Sequence, residues 1–584
     1  MIQIDYTRDS LLSAAGIATV MDRYKVGDEK SPQESFARAA KAYAEDDAHA
    51  QRIYDYASKR WFMFSSPILS NGGTERGLPI SCFLNYVPDS LEGISKHWEE
   101  NVWLASRGGG IGGYWGNIRS VDEVTAKGSK SNGVLPFIKV CDSQMPAISQ
   151  GVTRRGAYAA YLDITHPEIE TFINMRKPTG DSNTNCLNLH HGINITDDFM
   201  QAVLDGTEFN LLSPKTGDVI KSVDARELFQ RIIETRLETG EPYIHFIDES
   251  NRKLPWFQKA LGLKIHQSNL CSEIILPTDE RRTAVCCLSS VNLETWDEWK
   301  DDPLFIADLI LYLDNVLQGF IDRASLQPGM EKAVYSATRE RSLGLGAMGF
   351  HSLLQKKGLP WESALAKSLN KKIFKHIRDR AETASYELAL EKGNCVDVHT
   401  GQRVTEVVWN QRNAHLIAIA PNATSGVICN SSPSIEPFPS NVFVQKTDSG
   451  SFVMRNKYLD KYIKDMYDQE AYEKIWSDIS AAGGSIQGLD YFDAEAKEVY
   501  KTGFEIDQRW IVEFACDRQE FIDQAQSLNL FFDPTAHKGY MTECVVNAWK
   551  GKLKTLYYVR SKPIKSAERV NWTANKSDCL SCEG

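Results

Sequence analysis

Short runs of β-branched and aromatic residues recur along most of the chain. Between them lie stretches whose apolar positions repeat at helical spacing. "CFLNYV", "YAAYLDI", "HGINIT", "YIHFI" and "HLIAIA" predict strands, while "RELFQRIIETRLETG" and "SLLQKKG" predict helices. Residues 1–75 read as helical, and Ser31 with Glu34 three residues on has the spacing of a capping box. From 76 to 560 the alternation of strand and helix favours a large α/β barrel or sheet. After "LYYVR" the pattern gives way to polar "SKPIKSAERVNWTANKSDCLSCEG", residues 561–584, which reads as a flexible tail. "EIILP" predicts one more strand. It would set Asn269, Cys271 and Glu273 of "SNLCSE" at alternate positions, and so on one face.

Composition narrows the class. The 584 residues are 42% hydrophobic and 24% charged, ordinary values for a globular chain. A net charge of -11 without a basic run argues against a nucleic-acid surface. No stretch predicts a membrane span. "LLSAAGIATVM" is short, follows Asp5 and Asp9 and lacks a basic leader, so it does not read as a signal peptide. A cytoplasmic location is expected. There, 12 cysteines are buried thiols, metal ligands or redox catalysts rather than a disulfide scaffold.

Several motifs point nowhere on their own. "RGGGIGG" and "GLGAMG" fit GxGxxG, but neither has the strand before and the helix after that a dinucleotide site needs. They read as tight turns and close backbone approach. The pair Cys579 and Cys582 has no second CxxC or CxxH near it, HExxH is absent, and no His has a Glu three residues before it. No metal site is expected. His190 and His191 read as strand or loop packing.

Other residues carry candidate chemistry. An amide, a thiol and a carboxylate converging at Asn269, Cys271 and Glu273 would make a small reactive site; the bland alternative is a half-buried strand whose polar groups satisfy one another. Of adjacent Cys286 and Cys287, only one would face inward on a strand. Cys82 is a further thiol. "PNATSGVIC" would open a helix or nest of N–H groups suited to phosphate oxygens, or else form a polar loop. Tyr557 and Tyr558 are core packing or a radical-carrying pair.

Taken in order, "NLCSE", "LSSVNLE", "LGLGAMGFHSLL", "PNATSG", "SIEP…SNVFVQKTDSGSF", "DRQEFIDQAQSLNLFF" and "LYYVR" resemble the large, catalytic subunit of class I ribonucleotide reductase. The likeness runs from about Arg23 to the tail. It implies an α/β fold: a ten-stranded α/β barrel over 76–560 with a central finger loop, an N-terminal helical region over 1–75, and a redox tail over 561–584. It implies that ribonucleoside diphosphates are reduced to deoxyribonucleoside diphosphates. Cys271 would carry the thiyl radical, Glu273 would take the 3′-OH proton, and Asn269 would hold the ribose hydroxyls. Cys82 and Cys286 would be the thiols that are spent. Ser66, Ser81, Asn422, Ala423, Thr424, Ser425 and Gly426 would hold the diphosphate side of the substrate. Ala423 departs from relatives with a carboxylate there, so no proton role is open to it. Tyr557 and Tyr558 would relay an electron hole from a separate, metal-containing small subunit, so no cofactor is expected in this chain. Cys579 and Cys582 would carry reducing equivalents in from thioredoxin or glutaredoxin.

The likeness also bears on regulation. An N-terminal ATP-cone is expected to be absent, and with it shut-off by dATP. Asp89 and Arg119 match contacts of a specificity site for dNTP or ATP, with "DEVTAKGSKSN" as its first loop and "KPTGDSNTNCLNLHHG" as its second; that site implies a homodimer. Two alternatives stand beside this reading: an adenosylcobalamin-dependent reductase on the same barrel, and a non-catalytic nucleotide-binding redox protein.

Overall fold

A computed structural model describes residues 2–125, 127–148, 155–179 and 183–561. Residues 562–584 of the expected redox tail, with Cys579 and Cys582, and residues 180–182 of the second loop lie outside the described residues.

The N-terminal region is helical. Helices Ala14–Arg23, Pro32–Tyr43 and Asp47–Ser58 each start at a capping side chain, from Ser13, Ser31 and Asp46. Glu34 reaches back to the Lys30 N–H at 2.5 Å, one residue short of the reciprocal contact of a capping box. Arg52 forks onto Asp308 at 2.7 and 2.8 Å, tying these helices to the long helix Phe305–Ala324.

Five strands, Cys82–Tyr86, Gly110–Tyr114, Ala157–Asp163, His190–Ile195 and Tyr243–Phe246, run parallel, each beside the next. A second set is Leu288–Asn292, Gly344–Met348, the 416–420 segment, the run ending in Leu530–Phe532, and the run ending in Val559–Ser561. It is also parallel throughout. The two sets meet antiparallel at both seams. Ala284–Val285 pairs with Cys82–Tyr86, and Thr555–Leu556 pairs with Tyr243–Phe246. The result is a closed ten-stranded barrel, against which Phe62–Phe64 pairs antiparallel with Leu288–Asn292. "HLIAIA" joins it through isolated bridges, Leu345 with Ile417 and Ile419 with Gln526.

Most of each glycine motif lies in a barrel strand, while Gly108 (φ +76°) and Gly349 (φ +81°) make the turns at their ends. The expected close approach is present. A Cβ on Gly112 would lie 2.1 Å from the Ser268 carbonyl oxygen, so only glycine lets this strand pass a segment threaded through the barrel. Residues 442–500 add a hairpin and three helices with a separate apolar core around Ile475, Trp476 and Phe492. Among the described residues no helix is long and apolar enough to cross a membrane.

Candidate active site

The segment threaded through the barrel is "HQSNLCSEI", and it is not a strand. The Asn269 N–H donates to the Ile274 carbonyl at 3.0 Å, and the Ser272 N–H to the Asn269 carbonyl at 3.3 Å. Asn269 Oδ1 accepts the Ile274 N–H at 3.1 Å. These bonds close a reverse turn, and Ser272 at φ +69° is left-handed, which a strand does not allow. An asparagine able to bond its own turn competes with sheet pairing, and that overrides the extended pattern read from alternation. Cys271 sits at the tip.

The turn is held on three sides. Gln267 Nε2 donates to the carbonyls of Asn85 at 2.8 Å and Gly112 at 3.2 Å. Tyr161, from the strand Ala157–Asp163, donates its hydroxyl to the Asn269 carbonyl at 2.9 Å. On the far wall the Ala525 N–H donates to the Glu273 carbonyl at 2.9 Å, and Ser527 Oγ lies 2.5 Å from the Cys271 carbonyl and 3.0 Å from Glu273 Oε2. Tyr161 and Ser527 had no signal in the sequence, since an isolated hydroxyl in an apolar run looks like any other.

Cys82, Cys271, Cys286 and Glu273 line one cavity, with Ser65, Pro67, Ser81, Leu288, Ala420 and Pro421. The three thiols are buried. Cys286 follows Val285, which pairs with Phe83, and its N–H donates to the Cys82 carbonyl at 3.2 Å. The two cysteines are therefore directly opposed. Cys287 turns outward, with its Sγ bonded to the Leu313 carbonyl at 3.4 Å, and burial pushes its thiol pKa well up. Of the adjacent pair, one faces the cavity.

Glu273 is 1% exposed. Burial, reinforced by the nearby Cys82 thiol, pushes its carboxyl up to about 8. Asn269 Nδ2 is buried and makes no well-formed hydrogen bond among the described residues, though the amide stands close enough to Glu273 to lower its pKa. A buried amide N–H left unmet costs free energy unless a ligand completes it, so this one fits a hydroxyl of a bound molecule.

At one end of the cavity, Asn422 adopts a left-handed conformation (φ +55°) and helix Ala423–Cys429 begins. Asn422 is fixed by Ser290 Oγ at 3.0 Å and the Ala420 carbonyl at 3.0 Å. Thr424, Ser425 and Gly426 are buried, and Ala423 is exposed. The first N–H groups of a helix lack intrahelical partners and suit anionic oxygens. Ser66 starts helix Ser66–Asn71 and shares a hydrogen bond with the Tyr24 hydroxyl at 2.8 Å. A second cavity is lined by Ala423 and Thr424 together with Arg23 and Lys446, cations that the sequence did not single out.

Tyr557 and Tyr558 are buried in one apolar cluster with Leu270 and Cys271, their ring centroids 4.3 Å apart. Asp89 and Arg119, expected as separate effector contacts, bind each other: Arg119 Nη2 lies 2.7 Å from Asp89 Oδ2. They stand beside the hairpin of Val121–Val124 and Lys130–Asn132, which holds most of the expected first loop.

Two family descriptions match the chain: the ribonucleotide reductase all-alpha domain over residues 10–77, and the ribonucleotide reductase barrel domain over 80–559. The chain is 44% identical to the ribonucleoside-diphosphate reductase large subunit of Invertebrate iridescent virus 3, with all of both chains covered. It is 32% identical to the large subunit of Caenorhabditis elegans, covering 98% of this chain and 79% of that one. The fold superposes on the Actinobacillus ureae class Id ribonucleotide reductase alpha subunit with a TM-score of 0.82 at 31% identity, covering 96% and 98% of the two chains.

Proposed function

The chain belongs to the ribonucleotide reductase family as a large subunit, and we propose that the cavity residues divide its reaction among them as follows. The reaction is reduction of ribonucleoside diphosphates to 2′-deoxyribonucleoside diphosphates. A separate small subunit supplies the oxidising equivalent. Cys271, as a thiyl, takes the hydrogen from C3′, and Glu273 takes the 3′-OH proton. The 2′-OH leaves as water with a proton from the Cys82 and Cys286 pair. That pair gives two electrons and two hydrogens in all and closes to a disulfide, after which Glu273 returns its proton to the 3′ oxygen, and Cys271 returns its hydrogen to C3′ and regains the thiyl. The unmet Asn269 Nδ2 donor holds a ribose hydroxyl. Ser66, Ser81 and the 422–426 turn hold the diphosphate.

The observation that carries this reading is the convergence of three cysteine side chains and one buried carboxyl on a single cavity inside a closed barrel. Tyr557 and Tyr558 relay the hole, since they share a cluster with Cys271. The chain divides into a helical region (1–75), the barrel (76–560) and a redox tail (561–584). In that tail Cys579 and Cys582 reduce the spent pair and are themselves reduced by thioredoxin or glutaredoxin. Asp89 and Arg119 open their ion pair to admit an effector nucleotide, at the interface of a homodimer. The reducing cycle suits the cytoplasm, and the small subunit carries the metal. Mixing the chain with a small subunit, a ribonucleoside diphosphate and a dithiol should yield the deoxynucleotide. Product formed only with adenosylcobalamin, and with no partner subunit, would overturn the assignment.

A further inference from the structure

His190 begins the barrel strand His190–Ile195. Its Nδ1 lies between two oxygens, Glu241 Oε1 at 2.5 Å and the Tyr558 hydroxyl at 3.2 Å. Glu241 is 1% exposed. Its other oxygen accepts the His191 backbone N–H at 3.0 Å, faces His191 Nδ1 at 3.2 Å and lies 3.5 Å from Arg176 Nε. The carboxylate is therefore fixed by residues on both sides of the 177–189 segment, independently of Tyr558.

The placement sets the protonation. Burial raises the Glu241 pKa, but the charges of His190 and Arg176 outweigh it and hold the carboxyl well below the usual range. An anionic oxygen 2.5 Å from Nδ1 requires a hydrogen on that nitrogen. The Tyr558 oxygen is then a second acceptor for the same N–H. Around it stand the Arg560 guanidinium, 4.8 Å from the Tyr558 ring centroid, the Tyr243 ring edge-on at 5.1 Å, and Tyr557. Arg236 Nη2 donates to the Tyr557 carbonyl at 3.0 Å.

We propose that the Glu241–His190 pair is a positioning device for Tyr558: Glu241 keeps a hydrogen on His190 Nδ1, and this N–H fixes the phenol oxygen and turns the hydroxyl's own hydrogen away from His190. The proposal rests on Tyr558 being a relay residue. His190 keeps its proton and gives up no electron; its work is geometric. A phenol oxidised at neutral pH parts with its proton as well as its electron, so the direction of its O–H bond bears on the rate. The sequence marks His190 and His191 only as packing residues and does not mark Glu241, and "LHHG" and "TGEPY" lie 50 residues apart.

The test uses the holoenzyme with its small subunit and 3-aminotyrosine, a radical trap, at position 558. Glu241→Gln keeps the shape of the side chain and removes the anion; His190→Leu removes the donor. With Tyr558 intact, both variants should lower kcat by about tenfold or more, with KM for the ribonucleoside diphosphate within about twofold. In the trapped-radical forms, both should lose an exchangeable-hydrogen coupling that the parent shows by paramagnetic resonance. Unchanged kcat in both overturns the proposal, as does a lower kcat with an unchanged radical spectrum, which would mark a merely structural role. Should His190→Leu not fold, Glu241→Gln decides alone. Tyr558→Phe separates the premise: full turnover would remove the relay and the proposal with it. An inactive Tyr558→Phe beside normal His190→Leu and Glu241→Gln would remove the proposal only.

Discussion

Cys286 stands directly opposite Cys82 across the antiparallel seam of the barrel, its N–H donating to the Cys82 carbonyl at 3.2 Å. Opposed residues of an antiparallel pair hold their Cβ atoms roughly 4.5–5.5 Å apart. A disulfide needs roughly 3.5–4.5 Å, so the seam closes by a small adjustment. One turnover without external reductant should consume these two thiols and no others, read by thiol titration and peptide mass mapping. Cys82→Ser or Cys286→Ser should cut steady-state turnover by about a thousandfold or more. Oxidation that instead pairs Cys286 with Cys287 would contradict the assignment.

Glu273 must be ionised to accept a proton, and burial pushes its carboxyl up to about 8. The competent fraction therefore rises with pH, reaches one half at that value and saturates about one unit above it. The kcat/KM profile should climb from about pH 6, pass half its maximum near 8 and level off at about 9. The same shift has a cost in stability. The folded chain holds this proton after the unfolded chain has released it, so stability contributed at low pH is lost as pH rises through the folded value. Glu273→Gln should remove the rising limb together with most of the activity; a flat profile in the parent enzyme would deny Glu273 its role as base.

Ser527 holds both the Cys271 carbonyl and the Glu273 carboxylate. Its hydrogen bond lowers the Glu273 pKa, against the larger effect of burial. Ser527→Ala should move the rising limb to higher pH and slow turnover at pH 7 by about tenfold, as read by a kcat/KM profile of the variant. An unmoved limb would show that the hydroxyl does not act on Glu273.

Gly112 shows how the barrel makes room for the turn. A Cβ there would meet the Ser268 carbonyl oxygen at 2.1 Å, and that oxygen belongs to backbone, which cannot swing aside as a side chain can. Gly112→Ala should displace Cys271, lowering kcat by about a hundredfold or more, with a loss of roughly 1–3 kcal/mol in stability. Turnover and thermal unfolding measured on one preparation separate the two effects.

This glycine also marks where sequence reasoning falls short. Strands Ala157–Asp163, His190–Ile195 and Tyr243–Phe246 were legible because β-branched and aromatic residues fit a pleated, buried surface. Gly110–Tyr114 and Gly344–Met348 were not, since glycine disfavours strands and is present here to clear neighbouring backbone. The thiols, carboxyl and amide of the cavity were legible as a set through the order of motifs. Their geometry was not: alternate positions of Asn269, Cys271 and Glu273 describe an extended strand as well as a tight turn. Only the bonds from Asn269 and the left-handed Ser272 distinguish the two. The Asp89–Arg119 pair was likewise hidden, because two charges 30 residues apart carry no sign that they meet.

For the tail, replacing Cys579 and Cys582 with serine should spare turnover driven by dithiothreitol and stop turnover driven by thioredoxin. Equal loss with both reductants would speak against a shuttle.

The most direct measurement is turnover by Cys271→Ser, assayed with a small subunit, a ribonucleoside diphosphate and dithiothreitol, beside nucleotide binding by the same protein. The account predicts no deoxynucleotide and unchanged binding, because the serine keeps the turn but forms no thiyl. Deoxynucleotide formed by Cys271→Ser at the parent rate would contradict it.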